Sequence, residues 1–162
     1  MKLFIKSSSE IGHWEVDLVI RAKQQGVLLV AVERVTRLVR LGFLPNKEAE
    51  VVAASLVKLL SGEIVQSLTY DRGLEWMRHE RIARQLQAVR YFCLPYHPWE
   101  KGGVEQMNGL IRRYLLKGES FAYEEADHYW LELIEGSLNS RPRRVLGYRT
   151  PRELARESMG LN

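Results

Sequence analysis

The feature that most constrains the fold is a run of six consecutive apolar residues, Val27 to Val32. A run of this kind is typical of a β-strand that is covered on both faces. The segment before it, Trp14 to Ile20, alternates instead, with His13, Glu15, Asp17 and Val19 on the face opposite Trp14. With a third strand predicted over Arg37 to Leu44, the chain should open as an antiparallel meander.

Downstream of the meander, helices and strands alternate. Helical spacing of apolar residues predicts a helix over Lys47 to Leu60, with Asn46 as its N-cap. The elements predicted after it are a strand over Ile64 to Tyr70, a helix over Arg81 to Gln87, a strand over Val89 to Leu94, and further helices. Strands that are separated by helices tend to run parallel, so the order predicts an α/β fold with a mixed sheet flanked by helices.

Length and composition predict one domain. The chain has 162 residues, 46% of them apolar, which is enough for one substantial core. We assign residues 12–162 to this domain and residues 1–11 to an N-terminal extension. No apolar run is long enough for a membrane span or a signal peptide, so a soluble, intracellular protein is expected. Cys93, the only cysteine, excludes an internal disulfide and is predicted to fill the core.

The charge pattern suits a polyanionic partner. The formal net charge is +4 and the sequence pI is near 9.3. Basic residues cluster in two segments, one with Arg112, Arg113 and Lys117 and the other with Arg141, Arg143, Arg144, Arg149 and Arg152. Such clusters either bind phosphates or form a solvated basic face, and the sequence leaves both possibilities open.

Three acidic residues occupy positions that a sheet edge would gather. Asp17 lies inside the first strand, Asp71 directly follows the fourth, and Glu105 lies near the start of a helix. On that helix, Glu105, Asn108 and Arg112 fall together on the flank of the apolar arc. Convergent carboxylates suit Mg²⁺, and two such ions suit a phosphodiester substrate.

Each acid also has a simpler interpretation. An Asp beside a Gly is usually a turn former, and a Glu in a first helical turn usually interacts with the helix dipole. Other acids compete for the role of ligand, namely Glu15, Glu33, Glu75 and Glu100. Glu15 is the most serious competitor because it shares a strand face with Asp17.

Four segments carry a resemblance to a known family. They are Gly12-His13-Trp14-Glu15-Val16-Asp17, Thr69-Tyr70-Asp71-Arg72-Gly73-Leu74-Glu75, the stretch from Pro95-Tyr96-His97-Pro98-Trp99 to Arg112, and the tail from Leu138 to Glu153. Together they resemble the catalytic motifs of bacterial transposases of the insertion sequence thirty family. The resemblance implies a DDE-type integrase core, with the ribonuclease-H-like five-stranded fold that these enzymes share with retroviral integrases.

The resemblance also implies the residues that act. Asp17, Asp71 and Glu105 match the family's catalytic, metal-binding triad, and the 33 residues between the last two acids agree with its usual spacing. The implied cofactor is Mg²⁺, with Mn²⁺ as substitute and two ions in the site. The residues expected to contact DNA are Lys101, Asn108, Arg112 and Arg113. The implied partners are element ends, target DNA and further copies of the chain, in the bacterial cytoplasm at the nucleoid.

Two departures from the family pattern concern the triad's neighbours. Arg72 stands where the family usually has Asn, and Val104-Glu105-Gln106-Met107 replaces an Asn-rich stretch. The family's N-terminal helix-turn-helix region is also absent, so an excised domain or a truncated copy is expected. Two alternatives stay open: an inactive domain that binds DNA or protein, against which the intact triad argues, and another nuclease of the same fold. Assays on different substrates would separate them.

Overall fold

A five-stranded mixed sheet organises the chain in a computed structural model that describes residues 10–20, 27–93, 102–115 and 125–160. The elements in chain order are β1 (His13–Ile20), β2 (Val27–Glu33), β3 (Val39–Leu44), α1 (Ala49–Leu60), β4 (Ser67–Tyr70), α2 (His79–Gln85), β5 (Val89–Phe92), α3 (Gly102–Leu115), α4 (Glu125–Asn139) and α5 (Pro151–Ser158). The strand order is β3-β2-β1-β4-β5. The first three strands are antiparallel, and β4 and β5 run parallel to β1. The predicted meander and mixed sheet are confirmed.

Two apolar layers cover the two faces of the sheet. Trp14 and Val16 of β1 belong to the core shared with α1 and α2, whereas Val19 belongs to the core shared with α3 and α4. Every residue of β2 is buried because its alternate side chains enter these two cores. The prediction of a strand covered on both faces is thus confirmed, and it places Glu15 and Asp17 on the side of the sheet that faces α3.

The edge strand β3 is covered by α4. The Asn139 side chain accepts a hydrogen bond from the Val39 amide and donates one to its carbonyl, both at 2.9 Å. Glu135 accepts from the Leu41 amide at 2.8 Å and pairs with Arg40 at 2.6 Å. These side chains satisfy backbone groups that an uncovered edge would offer to another strand.

Several predicted element ends were wrong. Asn46 is not the N-cap of α1, since its Oδ1 accepts from the Glu48 amide in a local turn and the helix begins at Ala49. The strand β4 begins at Ser67, because the Ile64 carbonyl accepts from the Trp14 indole instead of joining the sheet. The helix α2 begins at His79 rather than Arg81.

Other predictions have mixed outcomes. Cys93 is partly buried directly after β5 and belongs to neither apolar cluster. Of the predicted loop from Pro95 to Gly103, residues 95–101 lie outside the described residues, and Gly102 and Gly103 begin α3. Within the described ranges, no helix combines the length and the apolar character that a membrane span requires.

Candidate active site

Asp17 lies in β1, and Asp71 directly follows the neighbouring parallel strand β4. Glu15 of β1 is opposite Thr69 of β4, and the same register continued by two residues sets Asp17 opposite Asp71. Neighbouring strands are about 4.8 Å apart. The carboxyl end of β4 therefore brings two aspartates, 54 residues apart in sequence, to one place on the sheet.

The Asp71 carboxylate is oriented by a tryptophan. Its Oδ1 accepts hydrogen bonds from the Trp76 indole at 2.7 Å and from the Gly73 amide at 3.1 Å. Trp76 is 1% exposed and packs on Tyr70 with ring centroids 4.9 Å apart. Burial raises the pKa of Tyr70, so its phenol stays neutral beside the site. A fixed aromatic pair thus holds one acid in a defined direction.

The helix α3 approaches the same place from above the sheet. The Asn108 side chain is 8% exposed, and its Nδ2 donates to Asp17 Oδ2 at 2.7 Å. Glu105 lies three residues earlier, in the first turn of α3, and is exposed. Because residues three apart stack on one side of a helix, the bond to Asp17 puts the turn that carries Glu105 next to the aspartates.

Glu15 anchors the start of α3. Its buried carboxylate accepts from the Val104 amide at 2.9 Å and pairs with Arg34 at 3.2 Å. Burial raises the pKa of Glu15, and the Val104 hydrogen bond and the nearby arginine charges oppose that rise. A Cβ on Gly103 would lie 2.9 Å from Glu15 Oε2 and 2.8 Å from Arg37 Nη1, so a larger residue there would displace at least one of these side chains.

The other competing acids have different surroundings. Glu33 is 1% exposed, and its two oxygens accept hydrogen bonds from the amides of Gly12, Val35 and Thr36 and from the Thr36 hydroxyl. It therefore holds the turn between β2 and β3. The Glu75 carboxylate lies directly over Gly73, close to Asp71 in the chain. Glu100 lies outside the described residues.

The residues predicted to contact DNA are placed unequally. Arg112 and Arg113 are exposed on α3, two turns after Glu105. Asn108 is buried and donates a hydrogen bond to Asp17. Lys101 lies outside the described residues. Arg72, the departure beside Asp71, is exposed.

The side chains around Asp17 offer carboxylate and amide oxygens. Carboxylate and amide oxygens are the ligands that hard divalent ions prefer. Asn108 Oδ1 is buried and has no hydrogen-bond partner among the described residues, so an acceptor oxygen remains beside Asp17. Across those same residues, no three His, Cys, Asp or Glu side chains lie close enough together to share an ion. The oxygen donors fit Mg²⁺ in kind, and Glu105 would have to turn towards the aspartates to complete the set.

Sequence reasoning missed Trp76 as a supporting residue and the anchoring role of Glu15. Trp76 follows Asp71 by five residues, and a large aromatic side chain so close to a candidate ligand was a usable signal. For Glu15 no local signal existed, because its partner Val104 is 89 residues away. The alternating pattern of β1 is the same whether Glu15 anchors a helix or binds a metal ion.

Comparison with known proteins identifies relatives over most of the chain. It is 38% identical over 160 residues to the transposase of insertion sequence element IS4351 from Bacteroides fragilis, a match that covers 98% of this chain and 48% of that protein. It is 38% identical over 143 residues to the transposase of IS1086 from Cupriavidus metallidurans, covering 86% and 42%. It is 36% identical over 160 residues to transposase InsI of IS30A from Escherichia coli, covering 97% and 41%. The chain thus spans less than half the length of these relatives. No protein-family model matches the chain.

Solved structures show the same fold. The catalytic core domain of BIV integrase superposes with a TM-score of 0.70 at 27% identity, covering 91% of this chain and 95% of that one. A simian T-cell lymphotropic virus intasome superposes with a TM-score of 0.73 at 16% identity, covering 89% and 54%, which shows the fold alone. Over nearly its whole length the chain is thus similar in sequence to transposases of the IS30 family, and it has the ribonuclease-H-like fold of an integrase catalytic core.

Proposed function

We propose that residues 12–162 are the catalytic core of a DNA transposase. The core would hydrolyse a DNA strand at the end of a mobile element and then join the freed 3′ end to target DNA. One observation carries the proposal: Asp17 lies in β1, Asp71 directly follows the neighbouring strand β4, and α3, which bears Glu105, is hydrogen-bonded to Asp17 through Asn108. The relatives named as transposases support the same function.

The two proposed steps balance without an external energy source. In the first, a water oxygen bonds to phosphorus and the bond from phosphorus to the 3′ oxygen breaks, which leaves a 3′-hydroxyl and a 5′-phosphate. In the second, that 3′-hydroxyl bonds to a phosphorus of the target and displaces the target's own 3′ oxygen, which takes up the proton. One phosphodiester forms for each one broken in the second step.

The chain's own residues have distinct proposed roles. Asp17, Asp71 and Glu105 would hold two Mg²⁺ ions, with Mn²⁺ as substitute. When bound, such ions stabilise the attacking and the leaving oxygens of an in-line displacement. Asn108 fixes the direction of Asp17 and Trp76 fixes that of Asp71. We expect the active complex to contain several copies of the chain on DNA in the bacterial cytoplasm.

A binding measurement tests the metal assignment. Crowded carboxylates repel one another, so Mn²⁺ should stabilise the fold by mass action. Ten times its dissociation constant would add about 1.4 kcal/mol, or about 3 to 6 °C in melting temperature. The variant with Asp17, Asp71 and Glu105 all replaced by alanine should show no such rise, while Glu48→Gln, exposed at the start of α1, should keep it. An equal rise in the triple variant would contradict the assignment.

Arg112 is proposed to hold a phosphate beside the acids. Arg112→Ala should weaken DNA binding and reduce the slope of log affinity against log salt by about 0.9, since one fewer counterion is released. Fluorescence anisotropy with a labelled duplex, repeated at salt concentrations from about 50 to about 200 mM, measures that slope. Arg84→Ala removes an equally exposed charge from α2 and serves as control. Identical slopes for both variants would show that Arg112 is an ordinary surface arginine and does not hold a phosphate.

The proposed function itself is tested by strand cleavage and strand transfer. A labelled duplex and a supercoiled plasmid should yield Mn²⁺-dependent nicks with 3′-hydroxyl ends and a covalent joint product. The chain is assayed alone and within a full-length transposase. Cleavage confined to an RNA–DNA hybrid or a four-way junction would favour another nuclease. Binding without any cleavage in the full-length context would favour the inactive domain.

A further inference from the structure

A basic cleft lies beside α3, away from the acids. Its lining comprises Arg37 from the turn before β3, Gly103, Gln106 and Met107 from the first turns of α3, and Arg143, Arg144 and Val145 from the segment after α4. We name this the arginine cleft. Its volume is about 600 Å³. Three of its lining residues are arginines, and none of the lining residues that the structure describes is acidic. The nearby Glu15 carboxylate partly offsets the charge of Arg37, so the positive charge of the cleft comes mainly from Arg143 and Arg144.

The arginines of the C-terminal segment are not equivalent. Arg149 forms an ion pair with Glu157, and the carboxylate offsets the positive charge of the arginine. Arg143 donates from Nη2 to the Leu138 carbonyl at 3.1 Å, while its Nε is buried without a hydrogen-bond partner among the described residues. Burial and the charge of Arg141 lower the pKa of Arg143. A half-buried guanidinium with one unpaired N–H donor would gain from an anion, because burying a polar group without a hydrogen-bond partner is costly.

The segment that carries Arg143 and Arg144 is closed on itself. Arg143 forms a β-bridge with Arg149, its amide donating to the Arg149 carbonyl at 2.9 Å. A 3-10 turn over Arg144–Leu146 joins them, and Gly147 and Tyr148 follow with φ of 63° and 66°. The next residues, Thr150 and Glu153, form a capping box that starts α5. The backbone that carries Arg143 and Arg144 is therefore fixed by hydrogen bonds and has little conformational freedom to lose on binding.

The helix α3 separates the cleft from the acids. At about 100° per residue, Gly103, Gln106 and Met107 occupy one flank of the helix, while Glu105, Asn108 and Arg112 occupy the other. The width of a helix with its side chains is about 10–12 Å. A DNA backbone at the acids would thus pass within a few nucleotides of the cleft.

We propose that the arginine cleft binds DNA phosphates at a second point, distinct from the phosphodiester that reacts. The inference rests on the proposed function, since DNA is the polyanion that the neighbouring acids would act on. The arginine fork matches phosphate oxygens in geometry as well as charge. Two sources can supply such phosphates: the DNA that is being cut, or the target DNA that is joined to it.

Salt-dependent binding to a labelled duplex of about 30 base pairs tests the proposal. Arg144→Gln should lower the slope of log affinity against log salt by about 0.9, and Arg143→Gln combined with Arg144→Gln should lower it by about 1.8. At about 0.1 M salt the double variant should bind at least about tenfold more weakly than the parent. Arg144→Lys should restore most of the slope. The matched control is Arg84→Gln combined with Arg156→Gln, two exposed arginines on α2 and α5.

The outcomes separate this inference from the proposed function. If the parent binds DNA and the cleft variants match the control pair, the cleft is an ordinary basic surface or a protein-binding one, and the inference is overturned alone. If the parent binds no DNA even within a full-length transposase, the result contradicts the proposed function as well. Arg144 is exposed, so Arg144→Gln decides the matter even if the double variant unfolds.

Comparing nicking with strand transfer identifies the source of the phosphates. If the cleft holds the DNA that is cut, the Arg144→Gln variant should be impaired in both reactions. If it holds the target, nicking should survive while transfer between two duplexes falls. Either pattern supports the cleft as a phosphate site, whereas full activity in both reactions would contradict it.

Discussion

Replacing Glu15 with alanine is expected to lower the free energy of unfolding by about 3 kcal/mol. The variant loses the acceptor for the Val104 amide at the start of α3 and leaves Arg34 without its buried carboxylate partner. An N-cap alone contributes about 1 kcal/mol, and breaking a buried pair costs more than that. Urea denaturation at neutral pH, followed by tryptophan fluorescence, measures the change.

Glu15→Gln is the matched control. Its amide oxygen still accepts from the Val104 amide, so it should be less destabilised than Glu15→Ala and should retain measurable strand cleavage. If Glu15→Ala is as stable as the parent, the anchor contributes nothing. A stable Glu15→Gln variant that cannot cleave would instead make Glu15 a ligand of the active site.

The sheet was predictable because its signals are local and repeated. The apolar run from Val27 to Val32 and the alternation of β1 need no tertiary context, and both match the observed burial. Element ends were harder, since single hydrogen bonds decide them. The carbonyl of Ile64 goes to the Trp14 indole, and the side chain of Asn46 is used in a turn. Neither competition is visible in the sequence.

The candidate site depended on resemblance for its choice of acids. Spacing alone treated Glu15 and Asp17 alike, because they share one strand face. Tertiary contacts distinguish them. Glu15 is buried beneath the first turn of α3 and accepts a hydrogen bond from the Val104 amide, whereas Asp17 accepts one from the Asn108 side chain in the next turn. The direction of Asp71 likewise depends on a tryptophan that sequence reasoning did not weigh.

Removing one charge from the proposed triad should reduce strand cleavage by orders of magnitude. Asp71→Asn and Glu105→Gln keep the shape of the side chain but remove the negative charge that would hold the ions. Folding should survive, because Glu105 is exposed and the amide oxygen introduced by Asp71→Asn can still accept from the Trp76 indole. DNA binding should be kept or strengthened, since less negative charge then faces the phosphates.

Glu75→Gln is a demanding control for these variants. The Glu75 carboxylate lies over Gly73, within the same turn as Asp71. The substitution therefore removes a similar charge from nearly the same place. The Glu75→Gln variant and the Glu15→Gln variant should each retain measurable strand cleavage. General electrostatic effects near the site would affect the control and the triad variants alike, whereas loss of a metal ligand affects only the latter.

Mn²⁺-dependent nicking tests the assignment of the catalytic triad. It is measured side by side in a full-length transposase for the parent, Asp71→Asn, Glu105→Gln, Glu75→Gln and Glu15→Gln. We expect cleavage by the parent and both controls, and a loss of orders of magnitude in the two triad variants with DNA binding intact. Cleavage by Glu105→Gln at the parental rate, together with an inactive Glu15→Gln, would show that the catalytic acids are misassigned.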